Sequence, residues 1–314
     1  MLTAHKPSIV PLRPLGLGDI LDGAVKAVRF NPKSMVGLSA LVLGAFLGPS
    51  AALGIGTTQL MSRLLSSRGP EAQALVGVPA ALLQALLTML AAGVLSGLLI
   101  HVLSQAVLGR KPDLGATWRS TRGRVLSLLV LAVLTLVFSL LATALLIGPG
   151  VLLLFNDNIL AGAILVLLGI LGLIVVNLAV STKISMAAPA IVLEGHGVLA
   201  GLRRSFALTR GSAFWRILGI TLLAGILAGI AASLLGLPFQ IIGTIIAAMA
   251  GQGTVSGQMV LTFVSHLSGL LTGAITTPFV AAVTGLLYID RRMRLEALDV
   301  ILLRDAQSNP APRI

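Results

Sequence analysis

The chain has 314 residues, 56% of them apolar and only 10% charged, with 22 Lys and Arg, 10 Asp and Glu, and no cysteine. A soluble domain carries about a quarter charged residues, so a water-facing surface is excluded, and a mean hydropathy of +1.03 points to a polytopic membrane protein. Without cysteine there are no disulfides, thiolate metal sites or cysteine nucleophiles. A net charge of +12 invites nucleic acid as a partner, but the cations flank apolar spans instead of filling one soluble patch. Anionic lipid is therefore the expected partner and nucleic acid is not.

Residues 1–33 read as a cytoplasmic segment with no continuous apolar core, so no cleavable signal peptide is expected. Within it, Leu17, Ile20, Leu21, Ala24, Val25 and Val28 recur at helical spacing opposite Asp19, Asp22, Lys26 and Arg29, which predicts an interfacial helix. Six apolar runs follow in a membrane domain over 34–290, at about 35–57, 79–105, 125–147, 159–182, 217–236 and 260–287. Residues 291–314 close the chain as a cytoplasmic amphipathic segment.

The cations fix the direction of the spans. Lys6, Arg13, Lys26, Arg29 and Lys33 precede the first, and Arg110, Lys111, Arg119, Arg122 and Arg124 lie between the second and third. Lys183, Arg203, Arg204, Arg210 and Arg216 fall between the fourth and fifth, and Arg291, Arg292, Arg294, Arg304 and Arg313 follow the sixth. Only Arg63 and Arg68 remain for the opposite loops, so the positive-inside rule puts both termini in the cytoplasm of an inner-membrane protein. Trp118, Trp215 and Tyr288 fall at the same edge, as an aromatic belt does.

Residues 114–125 set Leu114, Trp118, Thr121 and Val125 against Arg119, Arg122 and Arg124. In 198–210, Leu199, Leu202, Phe206 and Thr209 stand against Arg203, Arg204 and Arg210. Residues 295–304 repeat the design with Leu295, Leu298, Ile301 and Leu302. The expected fold is thus all-α: six transmembrane helices as three helix-pair repeats, each preceded by an amphipathic interfacial helix. Gly44/Gly48, Gly93/Gly97, Gly225/Gly229 and Gly269/Gly273 are candidates for close helix packing. Gly148-Pro149-Gly150 reads as the turn after the third span, and Ile241 to Met249 as a helix in the outer leaflet.

Ionisable groups within spans are functional candidates. Lys183 lies near the end of the fourth, where snorkelling to the headgroups is expected. His101 and His266 fall at different depths in the second and sixth, so interhelical hydrogen bonds fit them better than a shared metal or proton relay. Pro189 and Pro278 free backbone carbonyls that kink a helix or line a cavity. The ten acids are spread thinly, with no H-E-x-x-H, D-x-D or phosphate-binding loop. No enzyme activity, cofactor or metal is expected.

Three stretches carry a resemblance: Pro14 to Gly23 (PLGLGDILDG), LRRSFALTRGSAFWRILG at 202–219, and TPF at 277–279 followed by LLYIDRRMRLEALD at 286–299. Together they resemble the six-helix membrane domain family named for its occurrence beside glycerophosphoryl diester phosphodiesterase domains, in its stand-alone actinobacterial form. The resemblance implies an architecture and no catalytic residues, because the phosphodiesterase domain has no counterpart here. The expected function is a non-catalytic membrane protein whose Arg203, Arg204, Arg210 and Arg216 hold anionic headgroups or an acidic partner, with a membrane-protein partner or second copy also open. The alternative is a transporter or lipid-handling protein with a cavity between helix pairs, lined by Lys183, His101 or Pro189/Pro278.

Overall fold

The structure is a computed structural model describing residues 9–11, 13–65, 76–156, 158–251 and 254–296. In hydrocarbon every backbone N–H and C=O must bond within the protein, which leaves helices as the solution for runs this apolar. The described residues form α1 (Leu17–Phe30), α2 (Pro32–Leu65), α3 (Val78–Val107), α4 (Leu114–Phe155), α5 (Ile159–Ile184), α6 (Ala187–Leu193), α7 (Val198–Leu208), α8 (Ser212–Met249) and α9 (Val255–Glu296). Six of the elements, α2, α3, α4, α5 with α6, α8 and α9, are long and apolar enough to cross a membrane. The protein is a multi-pass membrane protein.

The spans pair in sequence as α2–α3, α4–α5 and α8–α9. α9 also packs on α2, and α3 on α4, whereas α5 meets α8 and α2 meets α4 only briefly. Burial follows from this. Half of the most apolar stretch of α3 is buried (50%), against 17% in α4 and α8 and 11% in the run from Ile159 to Leu193. The last three present most of their side chains to lipid. The largest buried cluster joins Leu95, Leu98, Leu99 and Leu103 of α3 to Leu286 and Leu287 of α9, Met35 of α2 and Ile20 of α1. It lies toward the end of the bundle that gathers the arginines, here the basic end.

Each start signal has a local cause. α1 stops at Asn31 because Pro32 has no N–H to continue it; the Asn31 Nδ2 donates to the Pro112 carbonyl at 2.8 Å and Ser34 Oγ donates to the same oxygen at 2.6 Å. α4 starts at Asp113, whose carboxylate accepts from the Ala116 N–H as an N-cap does. Between α7 and α8 the chain turns through Gly211 at φ +64°, where a side chain would be strained.

Several expectations change. In the second repeat residues 114–125 run without a break into the span, since nothing between Trp118 and Val125 stops a helix. Pro149 lies inside α4 rather than in a turn, and the chain reverses between the end of α4 and the start of α5, where Asn156 Nδ2 donates to the Leu152 carbonyl at 2.8 Å. Ile241 to Met249 continue α8 through Pro238 and form no separate helix. A proline removes only one donor, and helix packing tolerates the loss in a membrane. Of the glycine pairs, Gly93 and Gly97 fit: added Cβ atoms would lie 2.5 Å from Ala132 Cβ and 2.3 Å from Leu128 Cδ1. Gly225 and Gly229 face open space, while Gly150, Gly162 and Gly169, not singled out by spacing, carry the α4–α5 contact. The 297–314 part of the C-terminal amphipathic segment, together with Lys6 and Arg68, lies outside the described residues.

Because α2 and α4 diverge while both pack on α3, a groove of about 530 Å³ opens between them with an almost wholly apolar lining.

Candidate functional site: an arginine clasp at the basic end

The last turns of α9 present two faces. Tyr288, Arg292 and Glu296 follow one another at i, i+4 and i+8 on one; Asp290 and Arg294 at i and i+4 lie on the other. The first face meets Glu194, the residue that ends the buried helix α6. Arg204 of α7 donates to both oxygens of Glu194, from Nε at 3.1 and 3.3 Å and from Nη2 at 3.1 Å, and also pairs with Glu296. Arg292 bridges Glu296 at 2.8 Å and Glu194 at 3.4 Å, His196 Nε2 lies 3.1 Å from Glu194, and the Tyr288 hydroxyl donates to the same carboxylate. Partial burial works against the charge on Arg204, but hydrogen bonds to Glu296 and Glu194 outweigh it and hold the guanidinium above its ordinary range.

The second face closes on the segment before α1. Asp290 is fully buried and accepts from Arg216 of α8, from Arg294 Nε at 2.9 Å, and from the Leu15 N–H at 2.8 Å. The Leu15 carbonyl accepts from both arginines, Arg216 Nη2 at 2.8 Å and Arg294 Nη2 at 3.1 Å. One carboxylate and one peptide unit thus hold two guanidiniums, the fork geometry in which arginine outperforms lysine.

The four arginines singled out by sequence divide. Arg204 and Arg216 are turned inward and tie α6, α7, α8, α9 and Leu15 together. Arg203 and Arg210 are exposed and make no ion pair among the described residues. Leu199, Arg203 and Phe206 lie at i, i+4 and i+7, so a cation sits between apolar side chains on one open stripe of α7, and Arg210 follows in the turn after the helix; Leu199 and Phe206 are exposed, as is Trp215 just beyond. The buried side of α7 is made of Gly201, Ser205 and Leu208 instead. Tyr288 leaves the expected aromatic belt: it is buried, its hydroxyl on Glu194.

Lys183, His101 and His266 stay apart. Lys183 sits in the last turn of α5, donates to the Thr209 carbonyl at 3.1 Å and lies 5.0 Å from the Phe214 ring centre. Together with Arg291, which donates to the Leu208 carbonyl at 3.1 Å, it caps the C-terminus of α7, where the helix dipole favours cations. His101 Nε2 lies 2.9 Å from Ser120 Oγ across the α3–α4 contact. His266 is buried against α2, its Nδ1 2.7 Å from the Thr262 carbonyl and its Nε2 2.7 Å from Ser50 Oγ. The Thr262 carbonyl can only accept, so Nδ1 carries a proton, and the Ser50 hydroxyl also reaches the Leu47 carbonyl at 2.9 Å. Pro189 and Pro278 are buried, and neither lines the α2–α4 groove. Among the described residues no three His, Asp or Glu side chains group as metal ligands do.

Sequence reading missed Glu194, Asp290 and Glu296 as partners of these arginines. The available signal was position: each acid interrupts an otherwise cationic segment next to an apolar run, where an unpaired charge is costly.

No curated protein and no solved structure matches the chain. The one family description is silent on function and carries no link to the glycerophosphoryl diester phosphodiesterase membrane domains. The family model described as a domain of unknown function, DUF7847, matches residues 15–287, from the clasped Leu15 through five spans and most of the sixth, and the chain belongs to that family.

Proposed function

We propose that the protein is a non-catalytic inner-membrane protein, both termini cytoplasmic, that holds anionic lipid headgroups with the open face of α7. The observation that carries this reading is the exposed stripe Leu199–Arg203–Phe206 of α7, followed by exposed Arg210 in the turn and Trp215 at the start of α8. Its apolar members lie in the acyl boundary while the guanidiniums reach phosphate oxygens at the headgroups. The inward arginines, bonded to Glu194 and Asp290, serve the fold and position this stripe. Arginine near an anionic leaflet contributes about 1 kcal/mol each.

Arg203→Gln with Arg210→Gln is therefore expected to lower the phosphatidylglycerol that co-purifies in mild detergent severalfold, read by lipid mass spectrometry per mole of protein. Unchanged retention removes the proposal. Orientation has a direct test because the chain has no native cysteine. A membrane-impermeant maleimide is expected to label Asn158→Cys from outside intact cells, and Ala200→Cys only once the membrane is opened. The reverse pattern inverts the map.

A further inference from the structure

We infer that the groove between α2 and α4 is a binding site for one acyl chain of an anionic phospholipid, with Arg122 on the phosphate. The groove is walled by Val42 and Ala45 of α2 and by Trp118, Val125 and Leu129 of α4, with Leu98 of α3 behind. Its volume of about 530 Å³ lies within the roughly 300–1,000 Å³ of ligand pockets. The hydrogen-bonded corner at the Pro112 carbonyl joins the starts of α2 and α4 and closes the groove at the basic end. It stays open along its side, toward lipid.

Hydrocarbon gains nothing by leaving bulk lipid for an apolar groove, since lipid tails are as apolar as leucine. Selection must come from the headgroup. Arg122 follows Trp118 by four residues and precedes Val125 by three, so it shares the groove-facing side of α4. It is exposed and makes no ion pair among the described residues. The Asp113 carboxylate accepts the Ala116 N–H, and Arg124 donates to the Val192 carbonyl. Trp118, half exposed at 49%, sets the rim at the depth where indole prefers to lie. A chain anchored by Arg122 and laid past Trp118 fills the space that the diverging helices leave. The inference rests on the basic end lying at headgroup depth, as proposed above, but uses none of the α7 residues.

Trp118 supplies the probe. In a Trp215→Phe background it is the sole tryptophan. The protein is reconstituted into phosphatidylcholine vesicles holding a small share of phosphatidylglycerol with brominated chains, or the same share of brominated phosphatidylcholine. Bromine next to the indole quenches its emission. Preferential quenching by the anionic lipid is expected at about fivefold, the worth of one arginine near the surface. Arg122→Gln and the groove-filling Ala45→Phe each abolish the preference, while Arg122→Lys keeps most of it. Equal quenching by the two lipids overturns the inference. So does a preference that survives Arg122→Gln, or one that survives Ala45→Phe in a folded protein, which would mean headgroup contact without an occupied groove. Arg122 is exposed, so its variants decide the matter even if Ala45→Phe does not fold. The α7 reading is scored separately by co-purified lipid, and either can fail alone.

Discussion

Asp290→Ala is expected to destabilise the protein by about 3 kcal/mol, the lower end for breaking a buried ion pair. The carboxylate is fully buried, while Arg216 and Arg294 keep 32% and 39% of their side chains exposed. Water can therefore rescue part of each orphaned guanidinium, and the full penalty does not apply. The Leu15 N–H also loses its acceptor, so the segment before α1 is expected to detach along with α8. Unfolding by sodium dodecyl sulfate in mixed micelles, followed by circular dichroism, reads the loss. Asp290→Leu combined with Arg216→Met and Arg294→Met is expected to recover only part of it, since the orphaned guanidiniums are gone but the Leu15 N–H and carbonyl still lack their partners. An Asp290→Ala variant within about 0.5 kcal/mol of the parent, the usual range of inert surface changes, would show that the clasp contributes little.

Gly169→Ala is expected to cost about as much, for a steric reason. A Cβ at this position would lie 2.2 Å from the Leu146 carbonyl oxygen and 2.9 Å from its carbon. Both obstacles are backbone, so α4 and α5 must separate as rigid bodies. Overpacking costs about 1–3 kcal/mol, and a whole-helix shift belongs at the top of that range. Gly229→Ala is the control: its Cβ meets nothing within 4 Å, and alanine is the better helix former by about 0.5–1 kcal/mol. It is expected to be neutral or slightly stabilising in the same titration. If the two variants unfold together, the close approach of α4 and α5 is not a feature of the molecule in a membrane.

The spans could be read from the sequence because hydropathy over some twenty residues is a local property. So could α1, whose Ile20 and Ala24 are buried as their spacing predicts. The clasp could not. Asp290 meets Leu15 across 275 positions and Arg216 across 74, and helical periodicity carries no information about which distant charge an acid will face. Arg203 and Arg204 are adjacent, yet one faces outward and the other inward, because Gly201, Ser205 and Leu208 rather than Leu199 and Phe206 form the packed side of α7. Sequence periodicity assumes that the apolar side is the protein side, and in lipid the apolar side is free to face the solvent. The same inversion explains Pro149, which marks a turn in water but passes within a helix here.

The α4–α5 hairpin stretches the fold further than any bilayer average. From Val125 to Phe155 the chain is helical and without a charge, about 46 Å at 1.5 Å per residue, against a hydrocarbon layer of about 30 Å. Such a hairpin cannot stand upright in a thin membrane. It leans or thickens the lipid around it.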